Sequence, residues 1–251
     1  ERDLPLDPRT SIPGCELTAE EVRWVDAWED FRRLVVTRMR QVAPPGRLDE
    51  VRLPGFPIWV DAWVHVRDLE IPPQTPQWKA NFLQRNAAFY TEYQDLLDPW
   101  LAVHDVRSFP PSRRKFEWQA QNAASLWDCA MQLRPSGIRA KRMTHLPALV
   151  AITQTPILGP KRRRLSVAEA AALQGLPAEF TFGTQPASES YKQLGNGVNV
   201  GVVKYVLREH IKRDAERLRE VAPHLLALVR AQEDRGEVDV ATDLALEPTL
   251  F

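Results

Sequence analysis

The sequence lacks the marks of a membrane or secreted protein. No run of about eighteen apolar residues occurs in the chain, whereas a helix that crosses a bilayer needs about twenty. No secretory signal is visible after Glu1. Cysteine is scarce, because Cys15 and Cys129 are the two in the sequence, and they fit neither a disulfide framework nor a metal-ligand spacing. These absences predict a cytoplasmic, reducing location, without membrane contact and without a bound metal.

The sequence also has no net charge, but its positive and negative residues are distributed unevenly along the chain. The 33 Lys and Arg residues equal the 33 Asp and Glu residues in number. The stretch 134–164 nevertheless holds eight Lys or Arg and no acidic residue, whereas the segment 209–251 holds ten acidic residues against six Lys or Arg. Basic side chains interleaved with small polar ones are suited to phosphate and base-edge contacts. The basic stretch therefore favours contact with DNA or RNA, and the alternative is an ordinary solvated surface.

Apolar periodicity predicts a helix-rich N-terminal part. The segment up to about Pro13 is interpreted as an extended linker. Apolar residues then recur at helical spacing from Ala19 to Val42, and a second helical stretch runs from about Pro76 to Val103. The simplest role for the aromatic residues of that second stretch is core packing between helices.

Further along, residues 146–158 are rich in β-branched side chains and predict one or two strands. A long amphipathic helix is expected from Val200 to about Gln232, with a kink at Pro223. The residues from Glu233 onward form an acidic tail.

Two local signatures lie about twenty residues apart in the C-terminal third. The first, RRLSVAEAAALQGLPAEF at 163–180, places Ser166 and Glu169 at the spacing of a capping box, after which Gly175 ends the helix. The second, YKQLGNGVNVGVVKYVL at 191–207, gathers amides and glycines before an apolar helical run. Glycine permits close approach of the backbone, so this junction suits either a small ligand or tight packing.

In this order and spacing the two signatures resemble the ninth and tenth sequence motifs of cytosine-5 DNA methyltransferases. Leu176 and Gly197 depart from the usual residues of those motifs, which are an aromatic residue and Ala or Ser. The stretch 110–157 also looks like the target-recognition region of a bacterial branch of that family. The resemblance covers roughly residues 52–210. The matching residues are Arg163, Leu165, Ser166, Glu169, Leu173, Gln174, Gly175 and Pro177 in the first motif, and Tyr191, Lys192, Gln193, Gly195, Asn196 and Val198 in the second.

The groups that carry the chemistry in that family have no counterpart in this sequence. It contains no Pro-Cys pair, which supplies the family's nucleophile, and no Glu-Asn-Val motif, which supplies its acid. Neither Cys15 nor Cys129 lies in the context of the nucleophile. The resemblance therefore implies the C-terminal half of such an enzyme, inactive alone, as a subunit of a split enzyme, a disrupted gene product or a truncated chain. The first residue, which is not Met, fits this expectation.

The resemblance implies two binding roles for this chain. Its partners would be duplex DNA and a catalytic N-terminal half, and its cofactor S-adenosylmethionine at a shared site, as in bacterial methylation linked to restriction. The residues expected at the cofactor are Gly195, Asn196, Gly197 and Val198, in a loop that returns to the catalytic domain. Those expected to hold the motifs in shape are Ser166, Glu169, Gln174, Gly175 and Gln193, the last of them through buried hydrogen bonds. The helix that follows would pack on the catalytic sheet through Val200, Val203 and Leu207. The residues expected to contact DNA are Arg113, Arg114, Arg134, Ser136, Arg139, Lys141, Arg142, Arg162, Arg163 and Arg164. No catalytic residue is expected in the chain.

The predicted fold is α/β, with a helix-rich N-terminal part, a small target-recognition domain and C-terminal helices that complete a doubly wound methyltransferase fold. The expected segments are a linker and helix at 1–50, the recognition region at 51–160, the two motifs and the last helix at 161–232, and the tail at 233–251. Another interpretation is a stand-alone DNA-binding or regulatory module without enzymatic activity. A dinucleotide-binding loop at GNGVNVG lacks the surrounding βαβ unit, and a purely helical scaffold leaves the basic stretch unexplained.

Overall fold

The computed structural model describes residues 4–149 and 155–234. The chain divides into two compact units, Glu1–Ala148 with Gln154–Ser166, and Leu149–Thr153 with Val167–Phe251. Within the described ranges, no helix is long and apolar enough to cross a membrane. The same ranges hold no cluster of three or more His, Cys, Asp or Glu residues suited to a metal ion.

The first helix, α1, spans Ala19–Val42, as the apolar periodicity predicts. It begins with a capping box, in which the Thr18 hydroxyl accepts from the Glu21 backbone N–H at 3.2 Å and the Glu21 carboxylate accepts from the Thr18 N–H at 3.0 Å. These two bonds satisfy backbone donors that lack a partner within the helix. One face of α1 is buried along its length through Val25, Trp28, Phe31 and Val35.

The second helix, α2, spans Gln77–His104. Its course changes at Tyr93, which has non-helical backbone angles, and the helix contains Pro99. Both features belong to a kinked helix, because proline at position i removes the hydrogen bond to residue i−4. The helix ends where Asp105 adopts a left-handed conformation with φ 47°. Its aromatic residues Phe89, Tyr93 and Trp100 are buried in the core, as expected. Trp78 differs from the expectation, because it lies in the first turn of the helix with 60% of its surface exposed.

Six short strands form a mixed sheet beside these helices. They are β1 (Ile58–Trp59), β2 (Lys115–Gln119), β3 (Cys129–Arg134), β4 (Gly137–Arg142), β5 (Ile157–Leu158) and β6 (Arg163–Arg164). Their order across the sheet is β1-β2-β4-β3-β5-β6. The β2–β4 pair is parallel, with Phe116 opposite Ile138, and the other pairs are antiparallel.

The core of the first unit joins α1 to the sheet. The ring of Trp28 stacks on Phe116 of β2 with centroids 4.8 Å apart, and its indole N–H donates to the Arg113 carbonyl at 2.8 Å. Trp100 of α2 donates to the Ala27 carbonyl at 2.9 Å. Helix α1 and the segment 51–160, which were expected as separate parts, therefore share one hydrophobic core.

The second unit consists of helices in its described part. They are α3 (Val167–Leu173), α4 (Ala187–Asn196), α5 (Val200–Arg213), α6 (Ala215–Val221) and α7 (Pro223–Asp234). The single helix expected from Val200 to about Gln232 is wrong. The helical conformation is interrupted at Asp214 and again at Ala222, just before Pro223. Proline disfavours helical angles at the residue before it, which explains the second break.

Two other expectations also change. Of residues 146–158, the structure gives strand conformation to Ile157–Leu158, and positions 150–154 lie outside the described residues. Most of the expected acidic tail, positions 235–251, also lies outside them. The mixed α/β class is confirmed by the sheet and its helices.

Candidate functional site

Three consecutive arginines, which the sequence nominated together as DNA contacts, occupy different environments. Arg163 is buried, with 1% of its surface exposed. Its guanidinium donates to the backbone carbonyls of Asp7, Arg9 and Arg164 at 3.1, 2.9 and 3.0 Å. This burial favours a structural role for Arg163 over direct DNA contact.

Those bonds also change the interpretation of the opening segment as a free linker. Arg163 fixes Asp7 and Arg9, and Lys161 donates from Nζ to the Pro8 carbonyl at 3.0 Å. Glu16 forms an isolated antiparallel bridge with Arg163. The segment therefore packs against the strand that opens the first motif.

The two neighbours of Arg163 differ from it and from each other. Arg164 forms an ion pair with Glu21 of α1 and donates to the Thr155 carbonyl at 3.1 Å. Arg162 is exposed, has a φ of 51°, and places its guanidinium 4.3 Å from the centroid of the Trp127 ring. A guanidinium on an aromatic face is held in position but keeps its N–H groups for other acceptors. Of the three, only Arg162 is exposed.

Several of the other nominated arginines are bound to partners within the first unit. Arg113 donates to the carbonyls of Arg134 and Leu133 at 2.9 and 3.2 Å, and burial lowers its pKa. Arg139 pairs with Glu117 of β2 at 2.6 Å, and Arg114 pairs with Asp61 at 3.0 Å. Of these arginines, Arg139 lies within the basic stretch 134–164, and its ion pair with Glu117 neutralises one positive charge of that stretch.

The tip and the far end of the hairpin leave polar side chains exposed. Pro135 and Ser136 form the two-residue turn between β3 and β4, and Ser136 is exposed. At the other end Arg142 is exposed, and Lys141 has no ion-pair partner among residues 4–149 and 155–234. Among the nominated DNA contacts, Ser136, Lys141, Arg142 and Arg162 are therefore the accessible ones.

The two motifs meet within the second unit through hydrogen bonds between their polar side chains and backbone. The Gln174 side chain donates to the Leu194 carbonyl at 2.9 Å, and the Asn199 side chain donates to the Leu173 carbonyl at 2.8 Å. The Asn199 side-chain oxygen also accepts from the Val202 N–H at 2.9 Å, which caps α5. The end of α3 is thereby joined to the end of α4 and the beginning of α5.

The residues expected at the cofactor lie at the junction of α4 and α5. Gly195 and Asn196 were expected in a loop, but they belong to the last turn of α4, and the loop is the short link Gly197–Asn199. Asn196 and Gly197 are exposed, and Val198 has 68% of its surface exposed. The Asn196 amide has no side-chain partner in the described part of the chain, so it is free to bind a polar ligand.

Gln193 differs from the buried role expected of it. Its side chain exchanges hydrogen bonds with that of Gln185 at 3.2 and 3.3 Å, but the residue is exposed. Ser166 and Glu169 are both buried at the start of α3, where the sequence placed the capping box.

Next to this junction, α5 presents an unusually apolar surface. The exposed fractions are 46% for Val200, 47% for Val202, 48% for Val203, 38% for Tyr205, 47% for Val206 and 58% for Leu207. The resemblance predicted that the face of Val200, Val203 and Leu207 packs on a catalytic sheet. Exposed apolar side chains close together in the sequence are typical of a surface that another element covers.

Two glycines of the motifs are expected to respond differently to alanine. Gly175 has a φ of 75°, and a Cβ there would lie 3.2 Å from the Gly201 backbone nitrogen, so Gly175→Ala should lower the free energy of unfolding by about 1–2 kcal/mol. Gly197 has a φ of −76°, and its Cβ would lie 3.4 Å from two carbonyl oxygens. Gly197→Ala should therefore change stability by less than about 0.5 kcal/mol. Urea unfolding of both variants checks the contrast, and equal effects would contradict it.

Neither cysteine is suited to nucleophilic chemistry. Both side chains are buried. Burial raises the pKa of Cys129 to about 12, and its Sγ donates to the Ser125 carbonyl at 3.3 Å. Because the thiolate is the reactive form, Cys129 is a core residue, in agreement with the sequence context.

Sequence reasoning missed two side chains that decide which arginines are accessible. Trp127 supports Arg162, and its indole donates to Asp26 of α1 at 2.8 Å. Glu117 neutralises Arg139 from the adjacent strand. The alternation of β2 could have placed Glu117 on the outer face of the sheet, but the pairing of β2 with β4 is a non-local contact.

Comparisons with known proteins agree with the motifs. A family model described as C-5 cytosine-specific DNA methylase matches residues 71–212. The chain is similar to the Type II methyltransferase M.AluI of Cellulosimicrobium cellulans, with 42% identity over 83% of this chain and 46% of that protein. The chain thus spans about half the length of this curated relative. No solved structure matches it significantly.

Proposed function

The chain belongs to the C-5 cytosine-specific DNA methylases, and from this premise we propose that it supplies DNA recognition and part of the S-adenosylmethionine site for methyl transfer to cytosine C5. The single observation that carries the proposal is the position of the free Asn196 amide beside the exposed apolar face of α5. A ligand-binding junction and a docking face occur together on one short stretch of chain. Ligand binding and docking on the same stretch are expected where a binding site is completed by contact with another domain.

The bond-forming groups would be supplied by a catalytic part other than the residues described above. In this family a cysteine thiolate adds to cytosine C6, a glutamate stabilises the activated ring, and C5 then takes the methyl group, a case of covalent catalysis. The sequence holds neither the Pro-Cys nor the Glu-Asn-Val motif. Those motifs would belong to a catalytic part, in a longer chain or in a second polypeptide, whose doubly wound sheet the α5 face covers.

The second unit would contribute to cofactor binding through the α4–α5 junction. The Asn196 side chain offers an NH2 group with two N–H donors and a carbonyl oxygen as acceptor, and Gly197 and Val198 offer accessible backbone and an apolar contact. This donor set fits a nucleoside or amino-acid group such as those of S-adenosylmethionine, which supplies the methyl group when bound. The Gln174 and Asn199 hydrogen bonds keep the junction in place.

The first unit would hold the duplex while the target base is outside the stack. A base inside a duplex is inaccessible to a nucleophile, so such enzymes extrude it. Ser136, Lys141 and Arg142 of the hairpin, together with Arg162, are the accessible residues suited to base edges and phosphates. Arg163 would contribute indirectly, because its hydrogen bonds hold the opening segment against β6.

Reconstitution of methyl transfer tests the proposal. Transfer from labelled S-adenosylmethionine to duplex DNA is measured with this chain alone and with a polypeptide that carries the two missing motifs. Activity is expected in the mixture, and Asn196→Ala should raise the KM for S-adenosylmethionine, whereas Ser188→Ala, exposed on the same helix and outside the motif, should not. Sequence-selective DNA binding by the chain alone, without activity in the mixture, would favour the stand-alone binding module instead.

A further inference from the structure

A basic groove lies on the first unit, outside the surface nominated from the sequence. Its volume is about 420 Å³, and α1, the segment 48–53 and the loop after β2 form its walls. Asp49 is the one acidic residue among the described residues that line it. The polar residues relevant to binding are Arg32, Arg33, Arg40, Arg52, Gln121 and Asn122.

The four arginines differ in how far they are already neutralised. Arg32 is held by two hydrogen bonds to Glu29, at 2.9 and 2.6 Å, with 11% of its side chain exposed. Arg33 pairs with Asp30 at 2.5 Å, but 70% of its side chain is exposed. Arg40 and Arg52 are exposed and have no ion-pair partner within the described ranges. The groove therefore offers two unneutralised guanidinium groups and a third that is accessible.

The groove is continuous with the exposed end of the hairpin. Gln121 lines it, has a φ of 52°, and accepts a hydrogen bond from Arg142 at 3.2 Å. In the sheet register Gln119 lies opposite Lys141, so β2 and β4 end side by side at this point. The accessible basic residues of β4 and those of α1 thus border one surface.

We propose that this groove binds the phosphate backbone of duplex DNA next to the sequence that the hairpin reads. The inference rests on the proposed function and adds α1 and residue 52, which lie outside the family match at 71–212, to the DNA-contact surface. Guanidinium groups bind phosphate oxygens through paired N–H donors, and the neighbouring amides of Gln121 and Asn122 add donors. Two exposed arginines at separate places along an open groove suit successive phosphates of a strand.

Binding of the full chain to duplex DNA over a range of salt concentrations tests the groove. Arg40→Gln with Arg52→Gln should raise the Kd by about tenfold and reduce the slope of log K against log salt by about 2, one unit per lost phosphate contact. Arg67→Gln is the matched control, because its side chain is 76% exposed and lies outside the groove. Arg142→Gln is the companion variant on the hairpin.

The outcomes separate this inference from the proposed function. If Arg142→Gln weakens binding while the groove variant keeps the wild-type Kd and salt slope, the groove assignment is overturned and the proposed function stands. If the wild-type chain binds no duplex DNA but its mixture with the catalytic polypeptide is active, the groove assignment is overturned and the proposed function stands. If neither binding nor activity is found, both are overturned. Inorganic phosphate serves as the small-anion probe, and phosphate binding that depends on Arg40 and Arg52 but does not compete with DNA would identify a free-phosphate site and overturn the assignment to DNA.

Discussion

Replacing Val203 and Leu207 together by aspartate is expected to abolish methyl transfer by the assembled enzyme while leaving the stability of this chain unchanged. Both side chains are about half exposed, at 48% and 58%, so the chain's own core does not depend on them. On assembly the apolar face would be buried, and a carboxylate without a partner in such an interface is strongly unfavourable. We expect at least about a hundredfold loss of association and of activity.

The matched control for this pair is Val103→Asp. Val103 is 78% exposed on α2 and lies outside the proposed docking face. The Val103→Asp variant should keep both methyl-transfer activity and association with the catalytic polypeptide at the wild-type level. Co-elution with the catalytic polypeptide separates a docking defect from a catalytic one. Full activity of the double aspartate variant, or a loss of its thermal stability by itself, would show that the α5 face is not the docking surface.

The second large effect is expected at Arg163. Arg163→Met should lower the free energy of unfolding of the first unit by about 3 kcal/mol or more, because three backbone carbonyls lose a charged donor in a buried place. Arg163→Lys should rescue little of this, since an ammonium group cannot reproduce the planar set of donors. Urea unfolding monitored by tryptophan fluorescence measures the change.

Arg162→Ala provides the comparison for Arg163. Arg162 is exposed and contacts the Trp127 ring, so its loss should cost less than about 1 kcal/mol of stability. Its loss should instead weaken DNA binding. Equal destabilisation by the two variants would contradict the division of the arginines into structural and accessible ones.

The helices of the first unit were predictable because their signals are local. Thr18 and Glu21 form the capping box, and apolar spacing continues to the end of α1 at Val42. In the second unit the break before Pro223 also has a local cause in the proline. The break at Asp214 has no such signal in the sequence.

The strands and the accessibility of the arginines were less predictable, because both depend on distant residues. Strand β1 has two residues and exists through the pairing of Ile58 with Phe116. Arg162 and Arg163 are adjacent and chemically identical. Arg162 is exposed and contacts the ring of Trp127, whereas Arg163 is buried and binds the backbone carbonyls of Asp7 and Arg9. Composition identified the basic stretch, but only the fold separates its members.

The basic groove shows the same limit of sequence reasoning. Arg33 and Arg40 lie seven residues apart, two turns along one face of α1. That spacing was available in the sequence. Their proximity to Arg52 and Gln121 depends on packing between α1 and the loop after β2.

The most direct test of the central claim is the chemical identity of the product. DNA methylated by the chain together with the catalytic polypeptide is digested to nucleosides and analysed by mass spectrometry, and the modified positions are located by bisulfite sequencing. We expect 5-methylcytosine within one sequence context. Methylated adenine, N4-methylcytosine or unmodified DNA would contradict it.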